Sequence, residues 1–369
     1  MDKLVQLNKI TSLRFIAAIY VVAFHHLEAL NFLGNTLLLL FHHGYIAVSF
    51  FFVLSGYILT YSYISKVENL NTFSFLKKRL YKLYPAYIVA ILSSLILGIY
   101  FYIHTPSVRL SLFEDIYVVI SSILMLQSWT PNLLVSVLHA CGPAWSLSVE
   151  VFLYLSFPLS LVYLSKMSNA SLKSLVILAG LVTLSAIAYF GSSISFNHYF
   201  DLANDTNFNT WNRYIQIFPL SHLPQFILGI IVSILVHRGV IKNNKKLNLF
   251  FYSSLILLFI LLFTNILPGY MMNNGILAIF FTIILAKAHL SRSKNILENK
   301  MFVRLGDASY HLYIFAWPIS RLFTIIYNKT NIVSNETTQF FIYLVSLCAI
   351  SLFTHRTEQK IKLNYFSNK

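Results

Sequence analysis

The sequence predicts an all-α fold, a polytopic membrane helix bundle of about ten transmembrane helices. Of its 369 residues, 57% are hydrophobic and 11% are charged, whereas soluble domains have about 25% charged residues. Apolar runs of about 20 residues, the length that crosses a bilayer as a helix, also recur along the chain. Alternating strand patterns are absent, which excludes an outer-membrane barrel.

The apolar runs divide the chain into spans within a single integral-membrane domain, residues 1–369, with no appended soluble domain. The first run contains Arg14 and is too long for a cleaved signal, so we interpret it as a retained span. The segment 116–129 is apolar but short, and we interpret it as re-entrant or interfacial. We expect spans at 10–30, 44–64, 84–103, 145–165, 172–190, 213–237, 247–267, 270–289, 302–325 and 337–354.

The distribution of lysine and arginine predicts the orientation of these spans. The loops 65–83, 238–246 and 287–301 and the C-terminal tail are basic, whereas 31–43 and 191–212 contain no lysine or arginine. Basic loops stay on the cytoplasmic side, so we expect both termini to be cytoplasmic. The net charge of +15 therefore reflects membrane orientation, and we expect lipid contacts rather than a nucleic-acid partner.

The first span carries ionisable residues, which are costly at membrane depth and indicate a functional site. Arg14 and His25 are eleven residues apart, so they lie on one face of a helix, about 16 Å from each other. Ala18 lies on the same stripe and leaves room beside it. His26 points about 100° away, which predicts that it lies outside the site.

Six segments together resemble the acyltransferase-3 family of integral-membrane O-acyltransferases, and they cover essentially the whole chain. The resemblance implies transfer of an acyl group, often acetyl, from acyl-CoA to a hydroxyl of a cell-envelope polysaccharide, a lipid-linked saccharide or a small molecule. It also implies a multi-pass protein of the bacterial inner membrane with no tightly bound cofactor. The segments are Arg14-x10-His25, FFVLSGYILT at 51–60, KKRLYKLYPAY at 77–87, WSLSVEVFLYLSFP at 145–158, LPQFILGI at 223–230 and SYHLYIFAWP at 309–318.

On this resemblance, His25 is the expected general base that takes the proton of the acceptor hydroxyl. A carboxylate is expected to hold its tautomer and stabilise the imidazolium. Glu150 is predicted to lie at a similar depth and is the preferred partner. Glu28 remains an alternative, because it follows His25 by three residues.

The resemblance places the donor's phosphates at the cytoplasmic side, on Arg14, Arg79 and Lys82. Arginine suits phosphate because its planar guanidinium can bind two oxygens at once. The family pattern is Arg-x-x-Arg, and this chain has Lys82 at the second position, which keeps the charge and loses the two-pronged geometry.

Four further residues of the family segments are possible substrate or oxyanion contacts. This chain departs from the family at Ser49, where an acidic residue is frequent, and at Ala316, where a histidine is frequent; we interpret both as altered acceptor recognition. We predict no metal site, because the two cysteines lack metal-like spacing and no acid or cysteine stands near His42 and His43 in the sequence. The four residues are Trp145, Ser148, Tyr310 and Tyr313.

Two other classes of function fit some of these features. Intramembrane arginine, histidine and glutamate also build proton relays in transporters and glycan exporters. Such folds often contain two repeated halves with broken spans, and we find no such repeat. A scaffold component of glycan assembly would not depend on His25. The sequence leaves open the oligomeric state, the acceptor hydroxyl, the acyl length and an acyl-histidine intermediate.

Overall fold

The structure is a computed structural model that describes residues 2–104, 112–130, 141–192, 216–264, 266–267, 269–330 and 335–367. Every regular element in these ranges is helical, which confirms the all-α prediction. Short 3₁₀ segments connect several of the helices. The α-helices are α1 (Asp2–Phe24), α2 (Gly34–His42), α3 (Ile46–Tyr63), α4 (Thr72–His104), α5 (Leu112–Ile123), α6 (Trp145–Lys166), α7 (Asn169–Ser192), α8 (Leu223–His237), α9 (Lys245–Thr264), α10 (Gly269–Asn273), α11 (Ala278–Leu290), α12 (Lys300–Asp307), α13 (Ser309–Thr330) and α14 (Glu336–Ser367).

Within the described ranges, nine helical stretches are long and apolar enough to cross a membrane, which confirms a polytopic bundle. The predicted span 302–325 is not among them. It is divided between α12 and α13, and α13 carries Arg321 and Lys329, which lower its hydropathy. With 22 residues, α13 is still about 33 Å long and could cross. The orientation of the termini stays a prediction.

Three helix boundaries differ from the expected ones. The first helix ends at Phe24, six residues before the predicted end of the span at residue 30. Helix α4 begins at Thr72, so the basic residues that we placed in a loop form its first turns. Helix α5 has 12 residues and is about 18 Å long, too short to cross, as predicted for this segment.

The first part of α1 is fixed by a buried lysine. Lys9 is 1% exposed, and its Nζ donates to the carbonyl oxygens of Ser291 at 2.7 Å and Ser293 at 2.6 Å. It also forms an ion pair with Glu298 at 3.3 Å. A buried charge is tolerated only when it is paired and hydrogen-bonded, and Lys9 meets both conditions. This attachment fixes α1 at a point about one and a half turns before Arg14.

Helices α3 and α8 pack with their backbones in contact. A Cβ atom at Gly56 would lie 2.2 Å from the carbonyl oxygen of Phe226, and one at Gly229 would lie 2.1 Å from that of Val53. Small residues at such crossings are the usual way for membrane helices to approach closely. The crossing holds α3 in place, and α3 supplies one wall of the larger cavity described below.

Candidate active site

Two neighbouring cavities contain most of the residues that the sequence singled out. The larger has a volume of about 140 Å³ and the smaller about 70 Å³. The larger contains Arg14, Arg79, Lys82 and Glu150. The smaller contains His25. The predicted site is therefore divided into a cationic cavity and a histidine cavity.

The cationic cavity combines three positive side chains from two helices with an apolar wall. Arg14 comes from α1, whereas Arg79 and Lys82 come from the first turns of α4 and lie almost one turn apart. Aromatic and aliphatic side chains of α3, such as Phe51 and Phe52, line the rest. Such a cavity suits a ligand with an anionic end and an apolar body.

Arg79 is held by aromatic rings rather than by a carboxylate. Its guanidinium carbon lies 5.6 Å from the ring centroid of Tyr63, 5.5 Å from that of Phe75 and 6.0 Å from that of Tyr154. Its buried Nε has no hydrogen-bond partner among the described residues. Aromatic faces stabilise a guanidinium while leaving its N–H donors available, so Arg79 is well suited to bind an anion.

Glu150 lies in the cationic cavity, where it accepts a hydrogen bond from the hydroxyl of Tyr154. The positive charges of Arg14, Lys82 and Arg79 are close enough to interact with its carboxylate. His25 does not line this cavity. The structure therefore does not bring together the pair that we preferred from sequence. Glu28, the alternative partner, is exposed in the 3₁₀ segment Glu28–Leu33 and has no recorded contact with His25.

His25 lies directly after the last residue of α1, about three turns beyond Arg14 and the cationic cavity. Its amide still bonds to the carbonyl oxygens of Val21 and Val22, so the spacing of about 16 Å from Arg14 holds. Its ring lies 5.1 Å from Phe24 and 6.5 Å from Trp317 between centroids. The imidazole has no hydrogen bond to the described residues, which leaves it available to a substrate.

His26 lines the same cavity as His25, so the expectation that it lies outside the site is wrong. The helix ends at Phe24, and the rule of 100° per residue no longer applies beyond it. The Nδ1 atom of His26 lies 2.9 Å from the carbonyl oxygen of Val22, and its Nε2 lies 3.1 Å from the hydroxyl of Ser320. Its ring also stacks on Tyr343 at 4.6 Å. Because both ring nitrogens of His26 have hydrogen-bond partners, its side chain forms part of the cavity wall.

Tyr313 lines both cavities, so its side chain lies between them. The hydroxyl donates to the carbonyl oxygen of Pro143 at 2.9 Å and lies 2.8 Å from the hydroxyl of Ser146. Its ring packs against Phe51 at 6.3 Å. Ala18, by contrast, is fully buried and lines neither cavity. The two cavities therefore share Tyr313 as a wall, and the room that we expected beside Ala18 belongs to neither of them.

The remaining three candidates from sequence have structural contacts. Tyr310 lines the cationic cavity, but its hydroxyl donates to the carbonyl oxygen of Leu83 at 2.6 Å. Trp145 packs on Phe52 and His222, with centroid distances of 6.4 Å and 5.6 Å. Ser148 is 1% exposed. Neither Trp145 nor Ser148 lines the cationic cavity or the histidine cavity.

Sequence reasoning missed several residues of the histidine cavity, among them Trp317, Ser320 and Tyr343. Trp317 is the last residue before Pro318 in a segment that was recognised, so its motif could have indicated it. Ser320 and Tyr343 had no signal, because isolated serine and tyrosine residues in apolar helices are common. Only the packing of α13 and α14 beside His26 brings them to the site.

Comparison with known proteins identifies the family of the chain. The profile of a family described as an acyltransferase domain, the acyltransferase-3 family, matches residues 7–356. The chain is also 27% identical over 333 residues to the acyltransferase MdmB of Streptomyces mycarofaciens, which covers 86% of this chain and 80% of the relative. No solved structure matches the chain significantly. The match over nearly the whole length shows that the chain belongs to the acyltransferase-3 family of integral-membrane acyltransferases.

Proposed function

We propose that the protein transfers an acyl group, most simply acetyl, from acyl-CoA to a hydroxyl of a cell-envelope polysaccharide or lipid-linked saccharide. The observation that carries the proposal is the arrangement along α1. Arg14, Arg79 and Lys82 line one cavity beside α1. The His25 imidazole, which has no hydrogen bond to the described residues, lines the second cavity, and Tyr313 lies between the two. A long donor with phosphates at one end and a thioester at the other matches this separation of about 16 Å.

The donor's phosphates bind Arg14, Arg79 and Lys82. Arg79 is the principal contact, because its rings hold the guanidinium without using its N–H donors. Lys82 contributes a point charge. When its carboxylate is ionised, Glu150 offsets one of the three cations that line the cavity, so the net charge there is two positive charges. That balance favours a polyanion without leaving an excess of buried positive charge.

The pantetheine arm then extends past Tyr313 toward His25. Passage requires the Tyr313 ring to turn, which breaks its hydrogen bonds to Pro143 and Ser146. Each such bond has a net value of about 1 kcal/mol, so thermal motion is enough. The closed ring keeps the two cavities separate when the donor is absent.

His25 removes the proton of the acceptor hydroxyl as its oxygen attacks the thioester carbonyl. The C–S bond then breaks and CoA leaves as its thiolate. The proton held by His25 passes to the thiolate sulfur. General-base catalysis of this type contributes about 10²–10⁴-fold. The exposed side of His25 admits the acceptor from the predicted outer surface or from the bilayer.

The test is acyl transfer by the purified protein, measured as release of CoA thiol and as incorporation of labelled acetyl into extracted envelope glycan or lipid-linked sugar. We expect His25→Ala to lower the rate by about 10²–10⁴-fold. His237→Ala is the matched control, because His237 is an exposed histidine at the end of α8, away from both cavities. A folded His25→Ala protein with the control's activity would overturn the proposal.

Comparison of envelope polysaccharides from cells with and without the gene identifies the acceptor. We expect the cells that contain the gene to carry glycans heavier by one acyl group per modified sugar. Solute uptake without thiol release would instead favour the transporter class. The proposed location is the bacterial inner membrane.

A further inference from the structure

Outside both cavities, three side chains that bind metals well come together between α13 and α14. His311 lies on α13, and His355 and Glu358 lie one turn apart on α14. One potential ligand atom from each residue lies within 4.8 Å of the corresponding atoms of the other two. We propose that these three residues form a binding site for a divalent transition metal, with zinc as the ion that fits best.

The chemistry of the three groups supports zinc. Two imidazoles and one carboxylate form a set that binds zinc in proteins and leaves a fourth position for water. Tetrahedral ligands about 2.0–2.1 Å from zinc lie about 3.3 Å from each other. His311 Nε2 and Glu358 Oε2 are already 2.8 Å apart, and the rings of His311 and His355 are 5.2 Å apart between centroids. The Nε2 of His355 also lies 2.9 Å from Gln359 Nε2, and this contact must break if that nitrogen is the ligand. Side-chain rotations then bring the three atoms, which lie within 4.8 Å of one another, to ligand distances.

The burial of the cluster supports a bound ion over a solvated surface pair. His311 is 3% exposed and the Glu358 side chain 15%. The Nδ1 of His311 has no hydrogen-bond partner among the described residues, so the ring is held only through its Nε2. An ion pair between His311 and Glu358 would also not need His355, yet its ring packs at 71° to that of His311. A metal ion accounts for the convergence of all three.

The location gives the metal a role in the architecture. Tyr310 precedes His311 and packs on it at 5.6 Å between ring centroids. The same tyrosine lines the cationic cavity and bonds to α4 through the carbonyl oxygen of Leu83. A metal that joins α13 to α14 would therefore stiffen one wall of that cavity. Support for the metal site comes from the cluster of His311, His355 and Glu358 and does not depend on the proposed function.

The test uses the full-length protein in detergent, with any polyhistidine tag removed, and needs no activity measurement. We expect the protein to retain one zinc ion per chain after dialysis against metal-free buffer, measured by elemental analysis. Cobalt added to the chelator-treated protein should give the visible absorption of a low-symmetry, tetrahedral site. Zinc should also raise the melting temperature of the chelator-treated protein.

Three variants separate a metal site from an ion pair. His355→Ala and Glu358→Gln should each lower zinc affinity by more than about 100-fold, because even outer partners of metal ligands are worth 10–100-fold. His237→Ala should bind zinc as the wild type does. Lack of zinc and cobalt binding by the wild type, or binding that persists in His355→Ala and Glu358→Gln, would overturn the proposal. A lower melting temperature in Glu358→Gln without any effect of zinc would show an ion pair only, with the same consequence.

Discussion

The two cavities on either side of Tyr313 differ in the kind of group that each presents. The cationic cavity contains three permanent or near-permanent charges and an apolar wall. The histidine cavity contains two imidazoles with aromatic neighbours, and none of its lining residues is an acid. A polyanion binds through fixed charge, whereas a general base needs a neutral imidazole that can accept a proton. The difference suggests that binding of the donor and the chemical step are separated along α1 by the distance between Arg14 and His25.

Their separation also changes the role of Glu150. The carboxylate that we expected beside His25 lies among the cations and bonds to Tyr154. In the proposed mechanism Glu150 adjusts the charge of the donor cavity, and His25 acts without a carboxylate from the described residues at hydrogen-bond distance. The following predictions test this division, beginning with the largest expected effect.

Among the variants that test this division, Arg79→Ala should have the largest effect. Loss of a guanidinium that binds phosphate should raise KM for acyl-CoA about 10- to 100-fold, because charge-assisted hydrogen bonds contribute about 1.5–3 kcal/mol. The measurement is initial-rate kinetics at varied acyl-CoA. Arg79→Lys is the matched control and should recover only part of the affinity. An unchanged KM in Arg79→Ala would show that the donor's phosphates bind elsewhere.

Tyr313→Phe tests the boundary between the cavities. Removing the hydroxyl breaks the contacts to Pro143 and Ser146 while the ring remains. We expect thiol release by hydrolysis, measured without acceptor, to rise about 2- to 10-fold, because two hydrogen bonds of modest net value hold the ring closed. Tyr327→Phe is a control on the same helix: Tyr327 is half-buried, donates to the carbonyl oxygen of Gln339 and lines neither cavity. Equal hydrolysis in the wild type and Tyr313→Phe would contradict a role of Tyr313 as the boundary.

Glu150→Gln distinguishes the two roles of this residue. If Glu150 belongs to the donor cavity, removing its charge should lower KM for acyl-CoA about threefold, the size of a partly screened interaction of roughly 0.6 kcal/mol. The amide oxygen can still accept from Tyr154. The measurement is KM and kcat determined together. A large fall in kcat with an unchanged donor KM would instead favour a partnership with His25.

The smallest effect should come from Ser320→Ala. The hydroxyl of Ser320 lies 3.1 Å from His26 Nε2, and its loss should change KM for the acceptor by less than about threefold, since one neutral hydrogen bond contributes about 1 kcal/mol or less. KM for acyl-CoA should not change. A change in the donor KM alone would show that the histidine cavity is not the acceptor side.

Much of the site could be predicted because it depends on local geometry. Arg14 and His25 share one helix, so their spacing follows from a rise of 1.5 Å per residue. Arg79 and Lys82 are likewise almost one turn apart on α4. His26 failed as a prediction because the helix ends at Phe24, and the end of a helix depends on its tertiary surroundings as well as on its sequence.

The sequence by itself determined that this chain is a helical membrane protein, which family its segments resemble and which ionisable residues its spans carry. These properties follow from composition, from periodicity and from the cost of charge in lipid. Only the tertiary structure decided that Glu150 joins the cations, that His26 lies beside His25, and that His311 meets His355 and Glu358. Each of these contacts joins residues whose arrangement depends on how helices pack, or on where a helix ends. That packing depends on the fit of whole side-chain surfaces, and no local spacing in the sequence records it.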